Sequence, residues 1–163
     1  MEEVREKVIA EKLKLESSRR GGADWFFWIA GLSLINSIVF LTGKQWNFVI
    51  GLGITQVIDA IAIELSKDLG SFVKVIAFFF DVVAASIFII FGILARKRYA
   101  WAFIVGMIIY AIDGLLFLLG MDLLSIGFHV FALICIYSGY KATCKMKEQA
   151  PPAPIPEQGG ENG

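Results

Sequence analysis

Charged and apolar residues alternate at helical spacing over residues 2–16 (EEVREKVIAEKLKLE), where Val4, Val8, Ile9 and Leu13 form a narrow apolar stripe. Glu and Lys at matching spacing support a charged amphipathic helix there, lying at a membrane surface or pairing with a partner helix. The run SSRRGG at Ser17–Gly22 predicts its end. Five long apolar segments follow, at Trp25–Thr42, Trp46–Leu65, Phe72–Leu94, Tyr99–Leu119 and Leu123–Tyr140. A helical span needs about 20 apolar residues, so each is long enough. The connections between them are short, which predicts antiparallel neighbours. Trp25, Trp28, Trp46, Tyr99, Trp101, Tyr137 and Tyr140 stand at segment ends, where aromatic belts form. Beyond Lys147 the chain is polar and rich in Pro and Gly, and predicts a disordered tail.

The pattern defines an all-α, polytopic helical membrane bundle of five apolar helices. Residues 1–22 are its charged amphipathic N-terminal surface helix and linker, 23–147 the membrane domain and 148–163 the tail. Composition agrees: 57% of the residues are hydrophobic, 18% are charged, and mean hydropathy is +0.70. Ordinary soluble domains carry about 45–50% apolar and about 25% charged residues, so a soluble globular enzyme is excluded. Fifteen basic residues balance fifteen acidic ones, which leaves no net field to recruit nucleic acid. The first 20 residues alternate charges and contain no signal-peptide core. Cys135 and Cys144 are read as two unrelated free thiols.

The second segment is the poorest span. It contains Gln56, Asp59 and Glu64, with Gly51 and Gly53 in its first half. Its ten Leu, Ile, Val and Phe residues gain roughly 3–6 kcal/mol, against about 2.5–3.5 for a central Asp. Basic residues weigh on the same question. If all five segments cross, the two sides hold eight and seven Lys and Arg. If the second does not cross, the N-terminal six, Arg96, Lys97, Arg98 and the three at 141–147 share one side. That makes twelve, against three at Lys44, Lys67 and Lys74. The expectation is four spans, a re-entrant second helix and both termini cytoplasmic, in the cell (inner) membrane. Arg96, Lys97 and Arg98 would fix orientation and meet lipid headgroups.

A weak internal repeat pulls the other way. Trp46–Gly51 (WNFVIG) matches Trp101–Gly106 (WAFIVG), and Asp59 then matches Asp113. Phe80-Asp81 in the third segment matches Phe128-His129 in the fifth. The matches suggest two related hairpins after a leading helix.

Asn36, Gln56, Asp59, Asp81, Asp113 and His129 are polar residues inside apolar segments, where ionisable groups are costly. Asp113 and His129 stand about equally far from the turn near residue 120. Asp81 and Asp113 match about residue 97, and Asp59 and Asp81 about residue 70. At about 1.5 Å per residue, Asp59, Asp81, Asp113 and His129 fall in one polar layer. Such groups can act as interhelical glue. Alternatively, neighbouring carboxyls and an Asp–His pair can share and relay protons or ions. Their spacing fits no metal motif, and no cofactor is called for. Asp122, Ser125 and His129 share a helix face, but Ser falls between Asp and His, which is the wrong order for a triad. The small residues Gly31, Gly51, Ala84, Ala85, Gly92 and Gly106 read as helix-packing positions.

The run Ala95–Asp113 and Leu124–His129 (LSIGFH) resembles small uncharacterised multi-span membrane proteins of prokaryotes. The resemblance covers mainly the C-terminal half, implies a helical membrane bundle and assigns no activity. The expected function is a non-enzymatic membrane protein acting by interaction or assembly. Its partners would be the lipid bilayer, a second copy of the chain, or a soluble protein at the N-terminal helix. The alternative is a small proton- or ion-linked transporter or channel subunit using Asp81, Asp113 and His129.

Overall fold

The computed structural model describes residues 1–42 and 51–149 and contains five helices: α1 (Glu2–Leu41), α2 (Gly53–Leu69), α3 (Phe72–Arg96), α4 (Ala100–Leu119) and α5 (Leu123–Glu148). Four of them, α1, α3, α4 and α5, are long and apolar enough to cross a membrane. The 17-residue α2 is not. Large apolar side chains such as Phe79, Phe80, Ile108, Ile112, Leu115 and Ile134 point outward. The interior is built from Ala23, Phe26, Ala30, Ala85, Phe88, Ala102, Phe103, Ala132 and Ile136. Alanines that let helices approach, with large apolar side chains left outward, are the arrangement a lipid-solvated bundle uses.

The expected break at Ser17–Gly22 does not occur. Helix α1 runs unbroken for 40 residues, about 60 Å, so the charged N-terminal stretch is its first half and not a separate surface helix. The residues that resemble a breaker form a helix crossing. A Cβ on Gly22 would lie 2.6 Å from the Gly139 Cα, and one on Gly139 would lie 2.9 Å from the Gly22 Cα. The Ser18 and Ser138 hydroxyls meet at 2.9 Å one turn away. SSRRGG thus lets the α1 and α5 backbones touch. Gly92 receives the Phe27 ring and Gly106 the Phe26 ring, as the small-residue reading expects. Gly31 meets nothing and is exposed.

Helix α1 packs chiefly against α3 and α5, while α2 lies on α3 and α4 on α5. Contacts fix one end of the bundle. Arg19 donates to the Ala95 and Arg96 carbonyls, Glu16 faces Arg98 at 3.4 Å, and Gln149 donates to Glu11 at 3.1 Å. The N-terminal half of α1, the α3–α4 turn and the end of α5 therefore share this near end. The end of α1, the start of α3 and the α4–α5 turn lie at the far end.

Helix α2 begins inside the bundle, seven residues later than the predicted segment. Trp46 and the other residues of 46–50 lie outside the described residues. The Leu52 N–H donates to Ser33 Oγ at 2.7 Å. Ser33 is eight residues, about 12 Å, short of the end of α1. From there α2 runs out to the far end, where Gly70 (φ +94°) turns the chain into α3. Among the described residues, α2 has both a start within the bundle and an exit at the far end, so it does not reach the near end.

Two substitutions test the crossing. Gly22→Leu should cost at least about 2 kcal/mol, because neither backbone can yield as a side chain would. Gly21→Ala, whose Cβ meets nothing, should leave stability unchanged or slightly raised. Thermal unfolding in detergent, followed by circular dichroism, measures both.

Candidate functional site

The polar layer forms as two separate pairs. Asp59, Asp81, Asp113 and His129 are all buried, at 7%, 0%, 6% and 2% exposure.

The first pair joins α4, α5 and the start of α2. Asp113 Oδ2 accepts the Gly53 N–H at 2.7 Å, and Oδ1 accepts the Ile54 N–H at 2.9 Å. The first N–H groups of a helix have no partner within it, and no side chain of α2 itself caps them. A carboxylate from α4 supplies the cap, and its charge also suits the positive end of the α2 dipole. His129 Nε2 lies 3.2 Å from the same Oδ2. The other ring nitrogen, Nδ1, lies 2.8 Å from the Ser125 carbonyl. A carbonyl only accepts, so Nδ1 carries a proton. Tyr110 stacks on the imidazole (centroids 4.3 Å apart, planes 15° apart), Phe117 leans on it at 5.0 Å, and Gly114 gives the ring room. Both ring nitrogens and both Asp113 oxygens have partners and aromatic rings enclose them, while the Tyr110 hydroxyl has none among the described residues. Asp122 caps α5 and takes the Ser125 hydroxyl, which accounts for the residues beside His129 that resemble a triad.

The second pair joins α2 and α3. The Asp59 and Asp81 carboxyls face each other, with the Ser37 hydroxyl of α1 beside both. Asp59 Oδ1, both Asp81 oxygens and Ser37 Oγ have no partner among the described residues. Buried polar atoms are nearly always bonded, so four together mark this centre as chemically unfinished.

Sequence reasoning found all four layer residues and missed what surrounds them. Ser37 and Tyr110 sit on apolar helices with no distinguishing spacing. A third cluster, at the near end, was half legible. Arg96 pairs with Asp24 at 2.6 Å, with its guanidinium 4.6 Å from the Phe27 ring centre. Arg98 faces Glu16. Two of the three residues expected to meet lipid headgroups therefore hold intramolecular partners as well. Arg19, 3% exposed, covers the C-terminal carbonyls of α3, where a cation is favoured. Glu16, Arg19 and Arg20 stand at i, i+3 and i+4, so their mutual pairing was readable; their reach to α3 was not. Hydrogen bonds from Arg19 and Arg20 hold the Glu16 carboxyl well below its ordinary value of 4.5, at about 2.

Both cysteines are free. Among the described residues no three His, Cys, Asp or Glu side chains converge as a metal site would require. No family model, curated protein or solved structure matches this chain.

Asp113→Ala should strand the buried Gly53 N–H, lowering stability by about 1–3 kcal/mol, and the part-buried Ile54 N–H at a smaller cost. Asp113→Asn, which keeps one acceptor oxygen, should cost less; unfolding midpoints in one detergent rank the two. Glu16 contributes stability in full above pH 4.5 and loses it as pH falls toward about 2, since its folded value is the depressed one. Glu16→Gln should flatten that limb of the curve of melting temperature against pH.

Proposed function

We propose that the chain is an integral protein of the cell membrane, with four spans formed by α1, α3, α4 and α5, a re-entrant α2, and both termini cytoplasmic. The observation that carries this reading is the start of α2 within the bundle, capped by Asp113. It supports the topology that leaves twelve basic residues at the near end and Lys67 and Lys74 at the other. Irregular backbone at membrane depth is tolerated only inside protein, and Leu52 and Gly53 meet that condition. The resemblance to small prokaryotic membrane proteins is the basis for naming the cell membrane.

The protein is non-enzymatic in this reading and acts by interaction or assembly within the bilayer, with lipid and a second copy as its first partners. The saturated Asp113–His129 centre supports a structural role for that pair, which fixes α2 in place. The exposed stripe Val4, Val8, Ile9 and Leu13, on the half of α1 that projects from the bundle, supports a soluble partner there.

A second reading, a small proton- or ion-linked transporter or channel subunit, is favoured by the unfinished Asp59–Asp81 centre. A discontinuous helix beside intramembrane acids is the architecture transporters use for ion sites. Five helices are few for a complete transporter, so a homo-oligomer would carry the path.

Single cysteines at positions 44 and 67, in a background lacking Cys135 and Cys144, should label from the same side of the membrane. Labelling from opposite sides would mean that the second segment crosses, and would sink the topology. In liposomes loaded with a pH dye, the transport reading expects an ion-dependent flux that Asp81→Asn abolishes while the protein stays folded. Absence of flux in the unaltered protein removes that reading and leaves assembly.

A further inference from the structure

We propose that the groove between α1 and α5 at the near end of the bundle binds one acidic phospholipid, its phosphate held by Lys14, Lys141 and Lys145 and its acyl chains laid along Tyr137 and Ile134. The inference deepens the membrane reading above. It rests on that reading for the leaflet the lipid comes from, and not for the binding itself.

The groove has a volume of about 480 Å³. Ile134, Tyr137, Lys141 and Lys145 stand at i, i+3, i+7 and i+11, so they share one face of α5, and all four line the groove. Glu11, Lys14 and Leu15 line it from α1. The Ser18 and Ser138 hydroxyls, 2.9 Å apart, join the two walls. Along α5 the chemistry changes in one direction. Ile134 and Tyr137, 63% and 50% exposed, belong to the apolar part of a helix long enough to cross a membrane. Lys141 lies seven residues beyond Ile134, about 10 Å nearer the end of the helix. Its ammonium stands 5.9 Å from the centre of the Tyr137 ring, at the junction of the two chemistries. A ligand that fills the groove lengthwise is therefore apolar at one end and polar at the other.

Charge sets the sign of the polar end. Three lysines against one glutamate leave two positive charges in excess in the lining, and Glu11 is held by the Gln149 side chain at 3.1 Å. Among the described residues no acid pairs with Lys14, Lys141 or Lys145. The arginines of the same end are engaged, Arg19, Arg20 and Arg98 with Glu16 and Arg96 with Asp24. Convergent positive charge without a carboxylate partner thus falls in this groove. Lysine stems lie along apolar surface while their ammonium groups stay at the level of water and headgroups. Basic pockets between spanning helices on the cytoplasmic side are where acidic headgroups bind. A free phosphate or an acidic peptide would answer the lysines and leave Ile134 and Tyr137 bare. A phospholipid answers both.

The test uses the full chain in a neutral detergent and follows the fluorescence anisotropy of phosphatidylglycerol labelled on an acyl chain. This lipid should bind saturably, one per chain, and phosphatidylcholine with the same label should bind about tenfold more weakly or worse. Lys141→Gln should weaken binding about fivefold, and the three lysines changed together to Gln about a hundredfold. All three are exposed, and circular dichroism verifies that the variants stay folded. Lys141→Arg, which keeps the charge, should restore affinity. Lys12→Gln, at the same end but outside the groove, should leave it unchanged. Equal binding of phosphatidylcholine, or an equal loss in Lys12→Gln, overturns the proposal. So does displacement of the label by inorganic phosphate or by polyglutamate as readily as by unlabelled phosphatidylglycerol, since the ligand is then a free anion or an acidic protein. Specific binding together with labelling of positions 44 and 67 from opposite sides upholds the site and removes the topology; same-side labelling without binding does the reverse.

Discussion

Backbone amides must be paired wherever water is absent, and the first turn of α2 begins in such a place. The Asp113 carboxylate resolves this by reaching from α4 to the Gly53 and Ile54 N–H groups, while Ser33 takes Leu52. Much else depends on that cap. It sets where α2 starts, so it sets which residue of α2 faces Asp81. It draws in His129, whose ring is locked in turn by the Ser125 carbonyl and by Tyr110. It also explains why a segment too polar to cross unaided is held within the bundle at all.

The two buried pairs occupy related places in the fold and behave oppositely. Asp59 and Asp81 join α2 to α3, and Asp113 and His129 join α4 to α5, each across a hairpin that rests its second helix on α1. The weak repeat in the sequence aligns these same positions. In one hairpin an imidazole answers the acid and two amides complete it. In the other an acid answers an acid, and nothing completes it. The divergence falls at one position of the repeat, Asp81 against His129.

The near end of the bundle is held by charge as well as by packing. Arg19, Arg20, Arg96 and Arg98 meet Glu16 and Asp24 there, and Arg19 also closes the C-terminus of α3. These links tie the projecting half of α1 to the α3–α4 turn. The long first helix is thereby fixed to the bundle beyond its apolar stretch.

The sequence determined that the chain is helical, where α3, α4 and α5 lie, and that Asp59, Asp81, Asp113 and His129 stand within apolar segments. Hydrophobic run length and the cost of burying charge are local properties, readable without neighbours. It also showed the second segment to be the weak one, through Asp59 and its glycines. The sequence did not determine what Ser17–Gly22 would do, because a glycine pair is a helix end in isolation and a close crossing only when Gly139 stands opposite. Nor did it divide the polar layer into two centres. Equal height along helices follows from counting residues, whereas contact depends on the rotation of each helix about its axis, and only packing among all five sets that rotation.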